Sequence, residues 1–200
     1  MMILTSEKAL ELLNQARGMA PDDYWIEHSI CVGNTAGVIA KAHNLDIDKA
    51  KALGYIHDIG KRNGFGPKAK PHAIGGYEYI LGLGYDEEYA NICLTHSYLN
   101  NDINCIAGEI PDKRRYRYAF VRDFIREHEY SIYEKIINLS DLICMNRVVV
   151  LEKRLVDIML RHGVFSNTVY HLTEAIKLKR YFDDLLGYDL YSLFRDIDYR

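Results

Sequence analysis

An all-α fold is predicted by three features of the sequence. Apolar residues recur at three- and four-residue spacing, strand-like alternation is scarce, and only four prolines interrupt 200 residues. No internal repeat divides the chain, and its length suits a single domain over 1–200 able to bury a sizeable core. Composition narrows the function classes. The net charge of -3 argues against nucleic acid as the main partner, because phosphate-backbone binders carry a strong basic excess. No apolar run reaches membrane-spanning length, and the first residues pass into a charged helical pattern without the zones of a signal peptide, so no membrane partner and a cytoplasmic location are expected. Cys31, Cys93, Cys105 and Cys144 lack metal-type spacing and sit in apolar patterns, as reduced, buried small hydrophobes do.

The elements follow in order. Helical spacing of Ala9, Leu10, Leu12 and Leu13 predicts a first helix from Thr5 to Arg17, ended by Gly18. Pro21-Asp22-Asp23 opens a second, in which His28 shares a stripe with Val32, Ala36 and Ile39 and therefore points inward. Asp46 or Asp48 caps a third, whose inward stripe carries Ala50, Leu53, Gly54 and His57. Gly60 is expected to stop that helix, leaving His57 and Asp58 in its last turn and Lys61 just beyond. From Arg62 to Pro71 the periodicity lapses, predicting a loop at the rim of any site nearby. His72 then stands at a helix start. Asp86-Glu87-Glu88 forms the negative first turn of a helix that turns Tyr89, Ile92, Cys93 and His96 to the core.

Residues 99–130 change character: polar Asn100-Asn101-Asp102, then the basic and aromatic run from Lys113 to Tyr118, then a helix through Arg126. They read as an elaboration inserted into the domain. A long helix from about Ser131 carries Ile137, Asp141, Cys144 and Val148 on one stripe, placing a carboxylate where leucine is expected. That helix is expected to run on past Leu151, break at His162-Gly163, and be followed by another from about Asn167 to Leu186, packed through Leu172, Ile176, Phe182 and Leu185.

Taken singly, each buried polar residue has an ordinary explanation, such as a bond to a backbone carbonyl. Jointly the pattern is harder to dismiss. His28, His57, His96 and Asp141 occupy the apolar stripes of four different helices, where an unpaired polar group costs about 1–3 kcal/mol. One shared cation would satisfy them all. Imidazole and carboxylate donors suit a divalent transition metal (Fe, Mn, Zn, Co or Ni) better than an all-oxygen calcium or magnesium cage. Neighbouring helical residues diverge by about 100°, so Asp58 could reach a second ion while His57 serves the first, and His72 and His96 would complete that second position.

The order His28, His57-Asp58, Asp141 resembles the defining pattern of the HD-domain metal-dependent phosphohydrolases, and His72 with His96 resembles the two-metal branches of that superfamily. The likeness runs from about Trp25 to Arg147. Its local strings, His57-Asp58-Ile59-Gly60-Lys61, His72-Ala73-Ile74-Gly75-Gly76, Thr95-His96-Ser97 and the run from Lys135 to Asp141, are most similar to bacterial HD-domain enzymes that split diadenosine tetraphosphate symmetrically. The resemblance implies an HD-domain helical bundle with a ligand-bearing core over about 22–150, a helical insertion over about 99–130 between the fifth and sixth ligands, and C-terminal helices over 151–200. It implies two divalent ions held by His28, His57, Asp58, His72, His96 and Asp141, and hydrolysis of a nucleotide phosphoester or phosphoanhydride, a dinucleoside polyphosphate first among the substrates. Phosphomonoester hydrolysis, or nucleotide binding without turnover, is the alternative.

Two departures qualify this. The stretch 99–130 is extra relative to the diadenosine tetraphosphate hydrolases, and the Gly-Tyr-Pro signature of the cyclic-di-GMP phosphodiesterases, which share His-Asp-Ile-Gly-Lys, is missing. A bound transition metal would lower the pKa of its water toward neutrality, and a pair would also neutralise phosphoryl oxygens. Within that scheme Asp58 and Lys61 are the catalytic candidates, Lys61 also as a phosphate contact, and Arg147 a second substrate-binding candidate by family position. His43, His128, His162 and His171 fall outside the ligand stripes and receive no catalytic role. A homodimer is left open.

Overall fold

The computed structural model describes residues 2–64 and 70–198. Nine α-helices are present among them: α1 (Ser6–Asn14), α2 (Tyr24–Ala42), α3 (Ile47–Ile56), α4 (His72–Gly82), α5 (Glu87–Thr95), α6 (Tyr118–Glu127), α7 (Ile132–Leu142), α8 (Leu151–His162) and α9 (Thr168–Leu186). Pairing of extended chain is confined, in the described residues, to isolated bridges. The local chemistry of several helix starts is plain. Thr5 accepts from the Lys8 amide, Asp46 from the Lys49 amide, and Ser131 forms a reciprocal capping box with Glu134.

The main core is built where α2 crosses α3 and α7. The first crossing is very close: a Cβ at Gly54 would lie 2.5 Å from the Gly33 Cα. Two glycines thus let the backbones touch, which brings His28 and His57, each within two helical turns of the crossing, onto the same interior. A smaller apolar cluster of Ala73, Ile74, Leu94, Tyr98, Ile103, Val121, Ile125 and Tyr130 seats α6 against α4 and α5. The stretch 99–130 is tied down by polar bonds as well: Asn101 donates to the His128 and Ile125 carbonyls, and the Tyr130 hydroxyl donates to the Tyr98 carbonyl at 3.0 Å.

Several boundaries differ from those the sequence predicts, each for a physical reason. α1 ends at Asn14, before the predicted Arg17, and continues as turns. α3 ends at Ile56, and Gly60 does not stop it. The chain instead runs through a short 3-10 helix, Ile59–Asn63, that absorbs Lys61 and Arg62. Gly60 has another purpose, since a Cβ there would lie 1.9 Å from the His72 carbonyl oxygen and 2.4 Å from the Gly76 amide, so only glycine lets α4 lie against this turn. The predicted rim at 65–69 lies outside the described residues.

α7 stops at Leu142 rather than running on past Leu151. A turn follows, in which Cys144 pairs with Val148 and the Val149 amide returns to the Ile143 carbonyl at 2.8 Å. Three consecutive valines, Val148 to Val150, favour this extended pairing over helix. Ile176 and Leu185, expected to pack, are 40% and 51% exposed, while Phe182 is buried.

Candidate metal centre

Six side chains converge from five places in the chain. His28 comes from α2, His57 caps the end of α3, Asp58 follows it, His72 opens α4, His96 caps the end of α5, and Asp141 lies on α7. They form two groups, His28 with His57 and Asp141, and Asp58 with His72 and His96, whose ligand atoms lie within 4.8 Å of one another in each group. In the first, His28 Nε2 is 2.9 Å from Asp141 Oδ1. In the second, Asp58 Oδ1 is 3.4 Å from His96 Nε2 and 3.6 Å from His72 Nε2, and the two imidazole nitrogens are 3.4 Å apart. Donors placed about 2.1 Å from one tetrahedral ion would be separated by about 3.4 Å. The groups meet where Asp58 Oδ2 comes within 3.5 Å of His57 Nε2.

Hydrogen bonding at the far side of each ring fixes what faces inward. His57 Nδ1 lies 2.7 Å from the Gly54 carbonyl, His28 Nδ1 is 3.2 Å from the Met145 carbonyl, and His96 Nδ1 is 3.1 Å from the Cys93 carbonyl. A carbonyl only accepts, so each Nδ1 is the donor and each ring turns its Nε2 to the interior. The turn after α7 therefore has a function in the site, since it supplies Met145. Lone pairs and carboxylate oxygens facing one another repel unless a proton or a metal cation lies between them. His57 Nε2 and Asp58 Oδ1 are buried without a hydrogen-bond partner, which is the deficit that a metal ion would fill.

Electrostatics agree with the geometry. Burial pushes His57 down to about 4, leaving it neutral at pH 7 and free to ligate, and burial likewise lowers His72. Burial would raise the two carboxyls. Lys61, His57 and His96 nonetheless hold Asp58 well below the usual carboxylate range, and His28, His57 and Arg154 do the same for Asp141. Both are ionised. Cys93 and Cys144, near the ligands in sequence, are buried and pushed upward by desolvation, the opposite of an activated thiol.

Five of the six, all but His57, line a cavity of about 470 Å³ together with Trp25, Lys61, Arg154, Arg161, His162 and His171. Lys61 is ion-paired with Asp58 Oδ2 and its side chain is 25% exposed at the cavity edge. Arg147 is not brought there: it is 66% exposed and paired with Asp198. The residues that sequence reasoning passed over are on α8 and α9. Arg154, Ile158, Arg161 and His162 are spaced to share one face of α8, a signal readable from the sequence had a helix been started afresh at Leu151.

Comparison with known proteins bears on this constellation. The family model of the HD domain matches residues 25–146, more than half of the chain. The chain belongs to the HD-domain family. Ribonuclease Y of Protochlamydia amoebophila is 38% identical over 66 residues, and that of Fervidobacterium nodosum 34% identical over 71 residues. These matches cover 33% and 36% of this chain and only 12% and 14% of the ribonucleases, so this HD domain corresponds to a small part of each. The HD domain of the L. monocytogenes phosphodiesterase PgpH, solved with cyclic-di-AMP, aligns over 95% of this chain and 88% of that one at 19% identity, with a TM-score of 0.44. Among the described residues no helix is long and apolar enough to cross a membrane.

Proposed function

We propose that this HD domain hydrolyses a nucleotide phosphoester or phosphoanhydride, with a dinucleoside polyphosphate as the leading substrate and two divalent transition-metal ions as cofactors. The observation that carries the reading is the meeting of two three-donor groups at His57-Asp58, five of whose six side chains line one cavity. His28, His57 and Asp141 would hold one ion, and Asp58, His72 and His96 the other, with Asp58 close enough to His57 to serve both. When bound, the ions supply Lewis acidity toward phosphoryl oxygens and an acidified water.

The chain's own residues do the rest. Carbonyls behind His28, His57 and His96 fix the rings so that each Nε2 is turned toward the place an ion would take. Lys61, anchored by Asp58 at the edge, offers an ammonium to a phosphate oxygen or to the departing oxygen as negative charge builds on it. Half-buried His72 and the stretch 99–130 form the flank through which a base would enter, where Tyr98, Arg115, Tyr116 and Tyr118 stand next to His72. The preference for a dinucleoside polyphosphate rests on the strings around His57, His72, His96 and Asp141, and the extra stretch 99–130 bears directly on that preference.

Protein purified without oxygen and loaded with Fe, Mn, Zn, Co or Ni tests the proposal against a panel of dinucleoside polyphosphates, mononucleotides and phosphomonoesters. Metal-dependent release of nucleotide or phosphate, lost in His57→Ala and Asp58→Ala, is the expected result. Inertness across the panel would overturn it, and tight nucleotide binding without product would favour a regulatory module instead.

A further inference from the structure

Arg154 is the least explained side chain in the cavity. It is 11% exposed, its Nε is buried without a partner, and its Nη2 stops 3.9 Å from Asp141 Oδ1. Its Nη1 donates to Asp157 Oδ2 at 2.9 Å. Arg161, two turns along the same face of α8, donates to that same oxygen through Nε at 3.0 Å and Nη2 at 2.7 Å. One carboxylate therefore holds two guanidinium groups side by side, and the charge it leaves over is shared only with Asp141, 3.9 Å from Arg154, a carboxylate that a bound ion would claim. Both line the cavity that carries Asp58 and Asp141. A guanidinium kept this dry with a donor unspent is costly, and the surplus charge faces the open volume. An anion with several oxygens would satisfy the free donor and the excess charge together.

We propose that Arg154 and Arg161, aligned by Asp157, form an anion subsite for the phosphate chain of a polyphosphorylated nucleotide, gripping phosphoryl oxygens adjacent to the phosphorus under attack. The identity of the molecule that brings the phosphates rests on the proposed function; the subsite itself rests on α8 alone. Asp157 acts as a positioning residue, since it touches only the arginines. A purely structural Arg154 would instead join α8 to α7 through Asp141, and Arg161 would be a surface ion pair.

Calorimetric titration of tripolyphosphate and of orthophosphate into the metal-free 200-residue chain separates these cases, because no turnover is needed. The wild type is expected to bind tripolyphosphate more tightly than orthophosphate. Arg161→Gln, at a side chain 45% exposed and so safe for folding, and Arg154→Lys, which keeps the charge but loses the fork, should each weaken tripolyphosphate binding by about tenfold or more. No tripolyphosphate binding by the wild type, or equal binding by wild type and Arg161→Gln, overturns the subsite even if the protein hydrolyses nucleotides. Arginine-dependent binding by a protein that hydrolyses nothing on the panel would uphold the subsite and sink the proposed function. Should Arg154→Lys melt early, Arg161→Gln decides alone.

Discussion

The group of His28, His57 and Asp141 is assembled where three helices cross in the main core, whereas Asp58, His72 and His96 are assembled at its edge. The first takes its shape from the Gly33-Gly54 approach of α2 and α3 and from α7 packed over both. The second depends on His72, the first residue of α4, whose side chain is 36% exposed. Carbonyls from α3 and from the turn after α7 orient the rings of the core group, while in the edge group a carbonyl lies behind the His96 ring and, among the described residues, none lies behind that of His72. One half of the site is thus fixed by the fold itself and the other by how α4 is held. Asp58 belongs geometrically to the edge group and is joined to the core group through His57.

That contrast is most directly broken at the junction. Asp58→Asn removes a ligand from the edge group and the charge beside His57, so metal should be lost from both positions. Activity should fall by more than about 100-fold, the upper end of what weakening a metal site through its surroundings costs. Elemental analysis alongside turnover checks it, and full metal content with full activity would mean that the two groups are independent. One step smaller, His72→Ala or His96→Ala should lower the metal content from about two equivalents to about one and leave the core group loaded. If either variant empties both positions, the core group is not self-sufficient and the comparison fails.

The same contrast explains what could be read from sequence. His28, His57, His96 and Asp141 stand in apolar stripes, so periodicity alone turns them inward, and the all-α fold follows from the same spacing. His72 has no stripe to betray it, being the first residue of its helix, and its place in the set rests on the second position expected beside Asp58 and on the family resemblance. Gly60 was legible as a break but not as a contact, because the atoms that demand a glycine belong to α4 and are distant in sequence until the chain folds. Arg154 was missed for a related reason. Extending α7 through the valine turn puts α8 out of phase and hides the face on which Arg154 and Arg161 meet the cavity.

Gly60→Ala probes the seat of the edge group without touching a ligand. Its Cβ would collide with the His72 carbonyl oxygen and the Gly76 amide, both of them backbone, so α4 must shift. Overpacking of this kind costs about 2–3 kcal/mol. A lowered denaturation midpoint, with loss of the edge ion before the core ion on titration with chelator, is expected. Simultaneous release of both ions would instead place α4 within the support of the core group.

The smallest effect separates the cavity wall from the ligands. His171, on α9, is 5% exposed and burial lowers its pKa from the ordinary 6.5 to about 4, partly offset by the charge of Asp141. Because the folded value lies below the unfolded one, the unfolded chain takes up the proton first as pH falls. Stability from this group is complete above about pH 6.5, declines below it, and stops declining beneath the folded pKa. At pH 5.5 the loss amounts to about 1 kcal/mol. His171→Leu removes the titrating group while keeping the wall apolar, so denaturant unfolding of metal-free protein at pH 7 and pH 5.5 should show a smaller drop for the variant than for the wild type by that amount. His57 shares the direction of shift and remains in the variant, so part of the acid sensitivity should survive. An unchanged drop would assign all of it to the ligands and none to the wall.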